Sequence, residues 1–185
     1  SVTGTGLFVG GSSPSPSTIN FTGGAASVSY NAAPSVMATT SPVNVKNNFF
    51  VTSGKTLTLL TSILPSSSST SNNWNFTVNT GATLVCGTNE IGTNAVTART
   101  GFTIQTGATL KTANAGGVWN TTTGSASITT TAALASLSAG ATYEFNGTAA
   151  QVTSAFATTP AATPSNVANM VINNTNAAGV TLSAS

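Results

Sequence analysis

Apolar and polar residues alternate in short bursts along this chain and almost never recur at helical spacing. Between Phe76 and Cys86, the residues Phe76, Val78, Ala82, Leu84 and Cys86 share one parity, while Thr77, Asn79, Thr83 and Val85 share the other. Period two places the first set on one face of a strand and the second on the opposite face. Between the two half-strands Thr80-Gly81 supplies a turn, where glycine accepts a positive φ without a Cβ penalty. No apolar stripe at i, i+3, i+4 and i+7 has useful length, and Glu, Lys, Gln and Leu are too few to build one. Elsewhere, short runs of Thr, Val, Ile and Phe punctuated by Gly and Asn predict strands.

The same phrase returns. FTVNTGATL (76–84) recurs as FTIQTGATL (102–110) and, more loosely, as FFVTSGKTL (49–57). Aligning Gly54, Gly81 and Gly107 gives steps of 27 and 26 residues; SLSAGATY places Gly140 33 residues further on, with TTTGSASI around Gly124 between them. MVINNTNAAGVTL (170–182) repeats the cadence, lengthened before Gly179. Such a recurrence is the signature of stacked supersecondary units. One unit alone buries too little to stand. Stacked, each strand pairs with its equivalent in the next unit, and Phe49, Val51, Leu57, Phe76, Val78, Leu84, Phe102, Ile104 and Leu110 form a continuous core. The predicted fold is all-β: a parallel β-helix (β-solenoid) with irregular loops, one domain over residues 1–185, turning at Gly54, Gly81, Gly107, Gly140 and Gly179. Outward Thr and Asn are expected to stack into ladders of like residues. Lys55 stands where Ala82 and Ala108 stand, which assigns that position to the turn rather than the core. Pro14 and Pro16, the SSSSTSNN stretch (66–73) and residues 158–164 mark surface loops.

Composition narrows the chemistry. The 185 residues hold four Lys or Arg, two Glu, no Asp and no His, so 3% are charged, against about 25% in ordinary domains. Scarcity of charge suits stacked repeats, since like ionic side chains ~4.8 Å apart repel. A net charge of +2 is too weak a footprint for nucleic acid or an anionic membrane. Without His or Asp there is no Ser-His-Asp triad, no zinc set and no carboxylate cage for calcium. Glycoside hydrolysis needs paired carboxylates; Glu90 and Glu144 lie on unrelated phrases and are expected to be surface residues. The Gly-rich stretches at 4–6, 10–11, 23–24 and 116–117 lack phosphate-loop spacing and are turn glycines. Cys86 is the single cysteine, so no intramolecular disulfide forms, and its parity with Leu84 predicts a buried core residue. No catalytic residue, metal site or cofactor is expected. No apolar run approaches the ~20 residues that span a bilayer.

Two features remain open to a binding role. Trp74 and Trp119, with Tyr30 and Tyr143, could stack on sugars; the other reading is packing over the core. Asn-x-Thr triplets at Asn20, Asn75, Asn120, Asn146 and Asn173 follow from composition. Thr-x-Thr at Thr56/Thr58 does not recur once per repeat, as a matched ice lattice requires.

Several stretches, NFTVNTGATLVCGTNEI, FTIQTGATLK, ATYEFNGTAAQVT and VANMVINNTNAAGVTLS, resemble the cadence of large repeat-rich secreted surface proteins of Bacteroidota, over residues 75–185. In that family, phrases of the type Y-x-F-N-G-T-x-A-Q precede L-x-I-N-N-x-x-G-V-T-L-S. The resemblance implies a cell-surface or extracellular β-solenoid of adhesive or structural use, exported by the type IX system through a C-terminal sorting domain that is not legible in this chain. It implies no catalytic residue.

The expected role is therefore a non-enzymatic structural or adhesive module, either a filament subunit or part of a large adhesin. The two ends of such a solenoid show no charged or helical cap, so either the chain is a segment of a longer one or its ends make head-to-tail or strand-donating contacts with other copies, insensitive to salt. A carbohydrate-binding module acting on cell-surface glycans is the alternative. An enzyme on the same scaffold is disfavoured by the missing acids and imidazole.

Overall fold

The computed structural model describes residues 17–21, 25–28, 46–64, 73–92, 99–131, 134–153 and 167–182. The described residues are all-β, and every strand pairing is parallel. With strands numbered along the chain, one sheet orders β1 (Ser17–Phe21), β3 (Lys46–Val51), β5 (Asn73–Val78), β8 (Arg99–Ile104) and β12 (Ala135–Leu137). A second orders β15 (Asn169–Ile172), β13 (Thr142–Phe145), β9 (Thr109–Thr112), β6 (Thr83–Gly87), β4 (Thr56–Leu59) and β2 (Ala25–Val28). Two smaller sheets join β10 (Trp119–Asn120), β11 (Ile128–Thr129) and β7 (Ile91–Gly92), and β14 (Gln151–Val152) with β16 (Val180–Thr181).

The repeated phrases lie over one another. In the first sheet Phe49, Phe76 and Phe102 are in register, followed by Val51, Val78 and Ile104. Their rings stack at centroid distances of 6.0 and 6.1 Å, and Trp74 stacks on Phe49 at 5.3 Å. In the second sheet Leu57, Leu84, Leu110 and Tyr143 form the matching column. All but the half-buried Phe49 are buried, so both inward faces supply one apolar core, as strand parity demands.

The turn between the two sheets carries the pairing around the corner. Gly54 N–H donates to Gly81 O (3.0 Å), Gly81 N–H to Gly107 O (3.1 Å) and Gly107 N–H to Gly140 O (2.9 Å). Gly54, Gly81 and Gly107 have φ of 72°, 75° and 76°, a region that side chains with a Cβ rarely enter. Gly140 holds the same place without a positive φ; a Cβ there would stand 2.7 Å from Thr106 Cγ2, so a side chain at this position requires the exposed Thr106 to shift.

Three expectations need correction. Ala82, Ala108 and Ala141 are buried in the core cluster, so the position shared with Lys55 is not merely turn: the residue before each second-sheet strand points into the corner, where a methyl fits, and Lys55 is left half-buried. Gly179 is a turn glycine as expected, with a φ of 62° and its N–H on Asn176 O (2.9 Å), but it does not join the glycine column. β15 pairs with β13, placing Met170 on Tyr143 and Ile172 on Phe145, so residues 170–172 extend the second sheet and residues 180–181, past the next corner, pair with β14. Outward ladders of like residues are also shorter than expected. Asn75 Nδ2 donates to Asn48 Oδ1 (3.0 Å), but the next residue in register is Gly101. Thr56, Thr83, Thr109 and Thr142 do line up.

Pro14, Pro16, the 66–72 stretch, residues 158–164 and Tyr30 lie outside the described residues.

Candidate functional site

Beyond the second sheet, the chain turns through a side built from two-residue strands and buried polar groups. Here β7 is bridged to Ile63 on one flank and pairs β11 on the other, with β10 beyond β11. Gly92 packs flush against β11: a Cβ would lie 2.8 Å from the Thr129 carbonyl oxygen and collide with its side chain.

Glu90 sits here and is buried, not on the surface as expected. Its Oε2 accepts from Gly124 N–H (2.7 Å) and Thr129 Oγ1 (3.0 Å), while Ser62 Oγ accepts its N–H. The carboxylate thus fastens the 121–127 excursion to the core, and a buried carboxylate needs such partners. Close by, the Thr112 and Ser127 hydroxyls meet at 2.7 Å. Cys86 is buried as its parity predicts. Burial pushes its thiol up to about 12, against a smaller opposing pull from a hydrogen bond with Ser127. The thiol is therefore held out of the thiolate form that reacts.

Two repeats after Glu90, Gln151 is the hub. Its Oε1 accepts from Gly147 N–H (2.8 Å) and Asn174 Nδ2 (2.7 Å), and its Nε2 donates to the carbonyls of Thr112 (3.1 Å) and Asn114 (3.0 Å). All four bonds of a buried amide are made, which ties three successive repeats at one point.

Glu144 faces outward from β13. Its Oε2 pairs with Lys111 Nζ at 2.8 Å and its Oε1 accepts from Asn173 Nδ2 at 3.0 Å. Partial burial raises its pKa, but the Lys111 and Asn173 hydrogen bonds and the Lys111 charge outweigh this, so the carboxyl ionises below its ordinary range. Tyr143 is buried beneath; burial drives its phenol well above the usual range, and its hydroxyl donates to Ser138 O (2.9 Å). Both glutamates are thus engaged between neighbouring repeats.

Trp74 and Trp119 are 5% and 4% exposed. Trp119 Nε1 donates to Thr130 O (3.0 Å), and Trp74 caps the aromatic stack. Neither indole offers a free face, so the sugar-stacking platform loses its geometric premise; the polar loop before Trp74 had suggested exposure. Among the described residues, no three His, Cys, Asp or Glu gather as a metal set, and no helix is long and apolar enough to cross a membrane. Sequence reasoning missed Glu90 and Gln151 as anchors, because their partners lie up to 39 residues away.

The edge of the stack is the other candidate. Ile172 occupies the place that Phe145 holds one repeat earlier, yet Phe145 is buried and Ile172 is 49% exposed; Leu182 nearby in sequence is 70% exposed. Comparison with models of protein families, with curated proteins and with solved structures gives no match for this chain.

Proposed function

We propose that the chain is a parallel β-solenoid serving a non-enzymatic structural or adhesive role at the cell exterior, of the kind its sequence resembles among secreted surface proteins of Bacteroidota. It would act as a filament subunit, or as part of a large adhesin, through stacking of repeats along the axis. The observation that carries this reading is the hydrogen-bond ladder running through the glycine corner from Gly54 to Gly140. Pairing that passes through strand and turn alike favours growth in one direction, each repeat being a template for the next. The half-exposed Ile172 supports it: the surface complementary to β15 is another parallel strand, from the same chain or from a second copy. The two engaged glutamates favour a scaffold over a catalyst.

Electron microscopy and sedimentation across a concentration series test the reading. Rods that lengthen with concentration are expected, little changed by salt because so few charges are available to screen, and shortened by Ile172→Lys. Compact particles at every concentration, with the fold intact, would overturn the end-to-end role; hydrolytic or lyase turnover would revive an enzyme.

A further inference from the structure

The Gln151 corner takes in the backbone at Gly147. Gly147 must be glycine, because a Cβ there would stand 2.8 Å from Gln151 Cδ and Oε1 and 3.1 Å from Ala113 O. Its predecessor is Asn146, so close packing creates the chain's single Asn-Gly pair. Asn-Gly cyclises readily in open chains, since no side chain hinders the incoming nitrogen. The Gly147 amide nitrogen loses its proton and bonds to Asn146 Cγ, the Cγ–Nδ2 bond breaks, and ammonia leaves with that nitrogen. Water then opens the succinimide to aspartate or isoaspartate.

We propose that Asn146–Gly147 is a latent self-modification site that Gln151 holds shut while the corner is folded. Three observations carry this. Gly147 is buried, and its N–H, the nucleophile's own, is donated to Gln151 Oε1 at 2.8 Å. The Asn146 Oδ1 is buried without a hydrogen-bond partner, so nothing polarises the carbonyl that would be attacked. The flanking backbone is locked as well: Asn146 N–H donates to Thr112 O (2.9 Å) and Thr175 N–H to Gly147 O (3.1 Å). Gln151 is a positioning residue here, fixed in turn by Thr112, Asn114 and Asn174. Opening of this corner releases the nitrogen and admits water. Isoaspartate then inserts an extra backbone atom and leaves a negative charge at this closely packed corner, which opposes its closing again. The chain thereby records unwinding at this point as a covalent change.

Peptide mass spectrometry at mildly alkaline pH, on native protein and on protein in urea, measures ammonia loss and deamidation at Asn146. The native rate should be slower by about tenfold or more, equivalent to ~1.4 kcal/mol or more of local opening. Gln151→Met, which keeps length but removes the acceptor, should raise the native rate towards the urea value, while Gln151→Glu, which keeps an acceptor oxygen, should raise it less. Equal rates in native and unfolded protein overturn the proposal, as does an unchanged rate in natively folded Gln151→Met. Should that variant unfold, hydrogen exchange on the wild-type chain decides: Asn146 loss must track exchange of the Gly147 amide, and loss while that amide stays protected sinks the latch.

Discussion

The Phe49–Phe76–Phe102 stack allows the register of the repeats to be weighed as an energy. Phe76 is buried and sandwiched between two rings at 6.0 and 6.1 Å, with interplanar angles of 16° and 15°. Truncating Phe76 to Ala should cost about 3–5 kcal/mol through lost transfer energy and the cavity left behind. Within that cost, each ring–ring contact is worth ~0.5–1.5 kcal/mol beyond buried area. A double-mutant cycle isolates the contact: Phe76→Ala and Phe102→Ala together should fall short of the sum of the singles by about 0.5–1.5 kcal/mol. Thr103→Ala is the control. It lies on the outward face beside Phe102 and should add to Phe76→Ala within about 0.5 kcal/mol. Urea unfolding followed by fluorescence of the buried Trp74 and Trp119 supplies the free energies. Additivity of Phe76 and Phe102, in variants whose native spectra are unchanged, would refute the stacked register.

Other outcomes follow from single sites. Cys86 should resist alkylation in native protein at mildly alkaline pH, where a free thiol of ordinary pKa reacts, and become reactive in urea; the burial that raises its pKa to about 12 is the cause. Glu144 ionises below its ordinary range when folded, so its contribution is full above the unfolded carboxyl pKa and is lost as pH falls through the folded value. Lys111→Met should reduce that acid-side loss, by only about 0–1 kcal/mol because the pair is partly exposed and screened; urea midpoints between neutral and acid pH measure it. Gly92→Ala should destabilise the chain by about 1–3 kcal/mol, since the new methyl meets the Thr129 carbonyl as well as its side chain.

Much of the fold was legible wherever parity and turn chemistry coincide. In Phe76 to Cys86 the alternation alone separated the buried Phe76, Val78, Leu84 and Cys86 from the outward Thr77 and Thr83, and the recurring glycine marked the corner at which the backbone ladder turns. The same signal marked a turn at Gly179 but not which turn it was. A glycine-centred turn between short strands serves both corners, so cadence cannot tell which corner a phrase builds. The side formed by β7, β10, β11, β14 and β16 left little trace, because two-residue strands carry no measurable period. Glu90 and Gln151 were illegible for a different reason. A buried polar residue is defined by its partners, and those partners lie on neighbouring repeats, up to 39 residues away. Trp74 and Trp119 were ambiguous by nature, since an indole beside a polar loop suits either a surface or a core.

The register itself is most directly tested by cross-linking. Thr83 and Thr109 are directly opposed on adjacent parallel strands, and neighbouring strands run ~4.8 Å apart, within the Cα separation a disulfide spans. The buried Cys86 should not compete. Thr83→Cys with Thr109→Cys is predicted to oxidise to an intramolecular disulfide in the native chain, while Thr83→Cys with Lys111→Cys, on the same outward face but displaced along the neighbouring strand, is not. Failure of the opposed pair together with ready closure of the displaced one would contradict the in-register stacking of these repeats.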